Sequence, residues 1–292
     1  MLRFRSVSFL LLIILLAGVS CAQQTTPVVP VAKPATEATP TSLPPTDTLV
    51  KESTLTVLAA ASLTESFTEL GRLFEAQNPG VKVAFSFAGS QALAQQLGQG
   101  AEADVFASAN NKYMDAAIEA KRVNQEAAKT FVTNRLVVIF PKENSAGIKT
   151  LRDLAKPGLL LDLADPSVPV GQYTVNFLDK ASEDAAFGSQ FEEAVLNNVV
   201  SYEDNVKAVV TKVSLGEADA GIVYVTDITA DAASKVDKLD IPDALNTIAT
   251  YPIAPVSDSK NPEMAQAFVD QVLSPDGQDV LAKYGFIPAA GT

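Results

Sequence analysis

The stretch that decides the fold covers residues 55–79 and reads LTVLAAASLTESFTELGRLFEAQNP. Its first six residues are apolar except for Thr56, which is typical of a buried strand. Ser62 and Glu65 follow in the spacing of a capping box, and Asn78 with Pro79 ends the segment. Between them, apolar residues recur at helical spacing: Leu63, Phe67, Leu70 and Phe74. A buried strand that leads directly into an amphipathic helix indicates α/β architecture.

The same alternation of strand and helix continues to the end of the chain. We predict further strands over residues 81–87, 103–108, 136–140, 159–164 and 220–225. We predict helices over residues 112–119, 150–155, 262–273 and 275–283, and others that begin near Ser90, Gly171 and Asn205. A body of about 240 residues is larger than one doubly wound unit normally needs, so we expect two lobes.

The composition excludes several classes of site. The 292 residues include no His and no Trp, and the one Cys is Cys21. A Ser-His-Asp or Cys-His catalytic set, a zinc site built on Cys or His, and an intrachain disulfide are therefore excluded. The net charge of −12 is opposite in sign to the basic surface that binds nucleic acid, so we expect no nucleic-acid partner.

Residues 1–21 have the order of a secretory signal, because basic residues precede an apolar run over residues 9–19 and small residues follow it. That run is shorter than the roughly 20 residues that span a bilayer. Cys21 lies where a bacterial lipoprotein signal is cut and acylated, although Gly18 occupies the place of the usual leucine. We expect an exported protein that is lipid-anchored through Cys21 to the outer face of the cytoplasmic membrane. The alternative is cleavage after Ala22 and release into the periplasm.

Residues 22–52 are rich in proline and threonine and contain no aromatic residue. Such a segment buries too little apolar surface to offset the entropy of ordering. We expect it to be a disordered tether between the signal and the folded body.

Three of the predicted strands end in turns of small or neutral residues, at 60–62, 88–90 and 169–171. In an open α/β sheet, ligands bind beyond the carboxyl ends of the strands, where helix N-termini present free N–H groups and a positive dipole end. None of the three turns contains Lys or Arg. The pattern therefore favours a small oxyanion that is enclosed by uncharged donors.

At these turns the sequence resembles the molybdate-binding proteins of ABC importers, a branch of the type II periplasmic binding proteins. The resemblance covers nearly all of residues 54–289. It rests on the segments AAASLT (59–64), FAGS (87–90), ADVFASA (103–109), DPSVPVGQY (165–173), NV (205–206) and GIVY followed by Asp227 (221–227). The closing segments SPDGQ (274–278) and YGF (284–286) are common to many binding proteins.

The resemblance implies an α/β fold of two lobes, each a mixed sheet flanked by helices, with the ligand in the cleft between them. Residues 53–135 plus 250–292 would form lobe 1, and residues 136–249 lobe 2. The chain would cross between the lobes near residues 134–137 and 247–251, and closure about this hinge would bury the ion.

The resemblance also implies a ligand set. Ser62 and Ser90 would donate hydroxyl and backbone hydrogen bonds, Val170 and Val206 would offer backbone N–H groups, and Tyr224 would supply a phenolic hydroxyl. The ligand would be molybdate or tungstate, with no preference readable between them. The implied protein is a monomer that delivers the ion to a membrane permease, with no cofactor, no catalytic residue and no other metal.

Three alternatives remain open. The same fold accommodates sulfate, phosphate or a small organic acid, although an organic acid usually calls for an Arg clamp and the candidate turns have none. An enzyme could use Asp104, Asp165 or Asp227 in acid-base work or metal binding. An anchored surface sensor without transport would use the same pocket.

Overall fold

The structure, a computed structural model, describes residues 52–289. The predicted signal, its Cys21 and most of the predicted tether lie outside the described residues. Within the described part, the strands are β1 (Ser53–Ala60), β2 (Val81–Ala88), β3 (Val105–Ala107), β4 (Lys129–Asn134), β5 (Leu136–Pro141), β6 (Leu161–Ala164), β7 (Val199–Glu203), β8 (Ala220–Tyr224), β9 (Val236–Asp240), β10 (Ala249–Pro255) and β11 (Ile287–Pro288).

The α-helices alternate with these strands. They are α1 (Thr64–Gln77), α2 (Ser90–Gly98), α3 (Asn111–Glu119), α4 (Pro169–Glu183), α5 (Phe191–Leu196), α6 (Val206–Ser214), α7 (Ala230–Lys235), α8 (Pro262–Leu273) and α9 (Pro275–Lys283). Short 3-10 turns lie at Ala61–Leu63, Gln125–Ala127, Leu151–Ala155 and Val225–Asp227. No helix within residues 52–289 combines the length and the apolar character needed to cross a membrane.

The first sheet has six strands in the order β11-β4-β10-β3-β1-β2. The strand predicted from residues 55–60 is its parallel core, since β1 pairs in parallel with both β2 and β3. β10 runs antiparallel to β3 and to β4. Helix α1 covers this sheet with Phe67 and Phe74, whose rings pack against Phe268 of α8.

The second sheet has five strands in the order β7-β6-β8-β5-β9. β6 pairs in parallel with β7 and β8, whereas β5 pairs antiparallel with β8 and β9. Both sheets are therefore mixed and flanked by helices, and the α/β fold that the sequence predicted is confirmed.

The chain passes from one sheet to the other at two places. Arg135 alone separates β4 of the first sheet from β5 of the second, and residues 241–248 lead from β9 back to β10. All strands of the second sheet lie within residues 136–240, between the two groups of strands that form the first.

The capping box predicted for Ser62 and Glu65 is wrong. A 3-10 turn over Ala61–Leu63 precedes α1, and the helix begins at Thr64 with no side-chain cap. Ser62 Oγ instead meets the Tyr251 hydroxyl, and Glu65 pairs with Lys207 of α6. Both side chains are thus engaged in tertiary contacts rather than in starting a helix.

Candidate functional site

The carboxyl ends of strands from both sheets face one small pocket. Ala60 and Ala88 end β1 and β2 of the first sheet, and Tyr224 ends β8 of the second. The pocket is lined by Ala60, Ala61, Ser62, Ala88, Gly89, Ser90, Ala109, Val168, Pro169, Val170, Val206 and Tyr224. All five residues that the resemblance implied as ligands are therefore brought together at one place.

The two serines follow β1 and β2 and are almost completely buried. Ser62 Oγ lies 2.9 Å from the hydroxyl of Tyr251, and Ser90 Oγ accepts the backbone N–H of Ala109 at 3.0 Å. Ser90 is also the first residue of α2. Each serine thus has a fixed hydroxyl position at the wall of the pocket.

The two valines contribute helix starts rather than side-chain chemistry. Val170 is the second residue of α4, directly after Pro169, and Val206 is the first residue of α6. The first N–H groups of a helix have no partner within the helix. In α6 the Asn205 side chain caps the N–H of Ala208 and leaves that of Val206 for another acceptor. Two positive dipole ends therefore face the pocket from the second sheet.

Tyr224 supplies the polar side chain from the second sheet. Its side chain is buried, and within residues 52–289 its hydroxyl has no hydrogen-bond partner. Its ring lies 5.8 Å from that of Tyr251 and 6.4 Å from that of Tyr173, measured between centroids. Burial and these neighbours raise the pKa of Tyr224 well above its ordinary value, so the hydroxyl stays protonated and is available as a donor.

The pocket is small and has no charged side chain in its lining. Its empty volume is about 210 Å³, including space that opens to solvent. The dimensions and the uncharged donors therefore suit an ion of a few heavy atoms.

The three carboxylates considered for an enzyme lie outside this lining. Asp104 accepts the N–H of Thr56 at 2.7 Å and the Ser259 hydroxyl at 2.6 Å, which is a structural role. Asp165 accepts the N–H of Ser167 as a turn residue, and this hydrogen bonding lowers its pKa.

Asp227 is the carboxylate nearest to the pocket, because it accepts the N–H of Tyr224 at 3.1 Å. Its side chain is fully buried, and Lys207 Nζ lies 3.5 Å from Oδ1. Burial raises its pKa to about 6, against the attraction of Lys207. It supports the end of β8 from behind rather than facing the pocket.

Elements of the two sheets contact each other around the pocket. These contacts join Lys207 Nζ to Glu65 Oε2 (2.8 Å), Gln91 Nε2 to the Asp204 carbonyl (2.7 Å), Asn110 Nδ2 to the Gln172 Oε1 (3.2 Å) and the Tyr113 hydroxyl to the Ser167 carbonyl. These contacts join the two sides at the rim of the pocket.

Sequence reasoning missed two polar residues behind the pocket, Tyr251 and Asn134. Tyr251 lies in β10, which the strand pattern did not predict, and its hydroxyl meets Ser62. Asn134 ends β4 and directs its side-chain amide at Tyr251 and Thr226. Nothing in their sequence spacing connects them with Ser62, since 189 residues separate Ser62 from Tyr251.

Residues 55–287 match the family model described as "Bacterial extracellular solute-binding protein". The chain belongs to this family. Among similar members, the "Molybdate-binding protein ModA" of Mycobacterium tuberculosis H37Rv is 40% identical over 232 residues, which is 80% of this chain and 84% of the relative. The protein of the same name from Escherichia coli K12 is 32% identical over 244 residues, 82% of this chain and 90% of the relative.

Among solved structures, this solute-binding chain is similar to the substrate-binding domain of a putative molybdenum ABC transporter from Clostridium difficile. The two share 27% identity with a TM-score of 0.60, over 81% of this chain and 99% of that one. The resemblance stated from the sequence is therefore confirmed at the level of family and fold.

Proposed function

We propose that this protein is the substrate-binding component of an ABC importer and captures molybdate or tungstate in the pocket described above. The observation that carries the proposal is the convergence of uncharged donors from four strand-to-helix turns, two on each sheet, together with Tyr224. Ser62, Ser90, Val170, Val206 and Tyr224 are the proposed ligand-binding residues, and the ion is cargo rather than a cofactor.

Local donors are sufficient to hold a dianion in an acidic protein. At physiological ionic strength the Debye length is about 8 Å, so the net charge of −12 repels the ion mainly through its nearest charges. A hydrogen bond to a charged group contributes roughly 1.5 to 3 kcal/mol. About seven such bonds exceed the costs of association and closure by enough for nanomolar to micromolar affinity.

The lining also favours some oxyanions over others. Hydrogen phosphate carries a proton that needs an acceptor, and no carboxylate lies among the lining residues. A pocket whose donors are spaced for molybdate or tungstate fits the smaller sulfate poorly. The alternative ligand is sulfate, phosphate or a small organic acid. In that case the alternative ligand, and not molybdate or tungstate, should raise Tm in the thermal unfolding test described below.

Several further features belong to the same proposal. The two sides close on the ion, and the closed form delivers it to a membrane permease. The protein acts as a monomer without catalysis and does not bind nucleic acid. Cys21 carries a lipid that anchors the exported protein to the membrane, and residues 22–52 form the tether.

Thermal unfolding of the purified protein with molybdate, tungstate, sulfate and phosphate tests the ligand assignment. Free ligand at 1,000 times its Kd adds about 4.1 kcal/mol of stability, which is a shift of several degrees. We expect molybdate and tungstate to raise Tm and the other two to leave it unchanged. A flat response to all four ions would refute the assignment.

Calorimetric titration of Ser62→Ala tests the site. Loss of one charge-assisted donor lowers molybdate affinity by about 10- to 100-fold. Ser66→Ala is the matched control, because Ser66 is equally buried one turn away and its hydroxyl bonds the Leu63 carbonyl. Equal affinities for the two variants would place the ion elsewhere.

A further inference from the structure

A chain of buried polar groups leads from the pocket wall to the point where the backbone crosses between the sheets. Ser62 Oγ lies 2.9 Å from Tyr251 Oη, and Tyr251 Oη lies 3.4 Å from Asn134 Nδ2. The same Nδ2 donates to Thr226 Oγ1 at 2.8 Å. Each of the four side chains is more than nine-tenths buried. Bulk solvent therefore does not reach the hydrogen bonds of this chain.

The direction of the hydrogen bonds follows from a group that can only donate. The backbone N–H of Arg135 donates to Asn134 at 2.9 Å, and an N–H cannot accept, so the atom facing it is the amide oxygen. The other end of the amide is then the NH2 group, which donates to Tyr251 and Thr226. Tyr251 Oη accepts from Asn134, and Ser62 Oγ, 2.9 Å away, is the acceptor within reach of its one proton.

Ser62 therefore accepts from Tyr251 and keeps its own single proton for the pocket. The Ser90 hydroxyl is likewise an acceptor toward the protein and keeps its proton for the pocket, because its oxygen accepts the backbone N–H of Ala109. The Tyr224 hydroxyl has no acceptor within residues 52–289 and adds a third proton. All three hydroxyls of the lining then present protons, together with the N–H groups of the helix starts.

We propose that Tyr251 and Asn134 are positioning residues that fix the Ser62 hydroxyl as a donor toward the ion in the pocket. This inference rests on the proposed function, because it concerns how the same pocket holds its ion.

Asn134→Asp reverses the direction of these hydrogen bonds with almost no change in the shape of the side chain. The new carboxylate oxygen can only accept, so the Tyr251 proton turns toward residue 134 and the Tyr251 oxygen takes the proton of Ser62. Ser62 then directs a lone pair at the ion. We expect molybdate affinity to fall by about 10- to 100-fold. Tyr251→Phe leaves the Ser62 hydroxyl free to rotate, and we expect a smaller loss, of about 3- to 10-fold.

A double-mutant cycle separates this reversal from a general disturbance. Measured by calorimetry, Asn134→Asp should cost little further affinity in the Ser62→Ala background, because no hydroxyl remains to be reversed. Repulsion by the new charge, or a distorted pocket, would lower affinity by the same factor in both backgrounds. Equal factors would overturn the proposal even when the parent protein binds molybdate tightly.

The stability of the ligand-free protein gives a second, independent measurement. In the Asn134→Asp background the carboxylate depends on the Tyr251 proton, so Tyr251→Phe should destabilise that variant to urea more than it destabilises the parent. Equal destabilisation would overturn the hydrogen-bond chain. A parent protein that binds none of the oxyanions would refute the proposed function, and this stability cycle would still decide the direction of the bonds.

Discussion

Asp227→Asn should make the protein more stable at neutral pH. The Asp227 side chain is fully buried behind the pocket, where one carboxylate oxygen accepts the N–H of Tyr224 and the other faces Lys207 at 3.5 Å. Burial raises its pKa from 3.8 to about 6. Asparagine keeps the oxygen that Tyr224 needs and removes the charge that burial disfavours.

The size and sign of the effect follow from the two pKa values. Because the folded state holds the Asp227 proton more tightly, its contribution to the free energy of unfolding is fully present below pH 3.8 and is lost as the pH rises through about 6. A difference of about two units corresponds to about 3 kcal/mol. Asparagine does not titrate, so the variant does not lose this contribution. Its free energy of unfolding relative to the parent therefore increases by about that much between acid and neutral pH.

Urea unfolding of both proteins from about pH 4 to about pH 7.5 measures this difference. In thermal unfolding it corresponds to an increase in Tm of roughly 6 to 12 °C at neutral pH. Asp231→Asn is the matched control, because that carboxylate is 80% exposed and pairs with Lys235 on the surface. A stability difference between Asp227→Asn and the parent that stays constant with pH would refute the reasoning.

Three other changes have effects that the contacts define. Gly171→Ala should weaken molybdate binding and cost about 1–3 kcal/mol of stability in urea, because a Cβ would lie 2.1 Å from the Asp165 carbonyl and displace the start of α4. Lys207→Met should lower molybdate affinity several-fold in calorimetry, with a smaller effect at high salt, since it removes the ion pair with Glu65 across the rim. Asp162→Asn should raise Tm more above pH 7 than at pH 5, because burial raises the Asp162 pKa from 3.8 to about 7 and the stability held by its proton is lost progressively between those two values.

The strands could be predicted where apolar residues form a run or alternate, whereas the buried strand β10 was missed because two prolines interrupt its sequence. The strand at 55–60 is apolar except for Thr56 and the strand at 136–140 is apolar throughout, and both are confirmed as interior strands with a partner on each side. The segment predicted as a helix at 150–155 is a 3-10 turn. β7 and β9 are edge strands that were missed because neither has a continuous apolar run: Ser201 and Glu203 interrupt β7, and three charged residues interrupt β9.

The pocket residues could be predicted because each follows a recognisable turn, and the structure brings all five to one place. Their role as ligands stays a prediction. Tyr251 and Asn134 could not be found in this way. Their part in the site depends on which atoms face Ser62 and Tyr251 in space, and a hydrogen bond between residues so far apart in sequence leaves no local pattern.

The sheet order has a consequence for how the chain folds as it is synthesised. Among residues 52–289, β4 pairs with β10 and β11 and with no other strand. When β4 has been made, its partners are still more than a hundred residues away, and the second sheet lies between them. The second sheet can form as soon as residue 240 is available, whereas the first must wait for nearly the whole chain. Contacts between residues so far apart in sequence form slowly. The first sheet, whose strands are the first to be synthesised, is therefore the last to be completed.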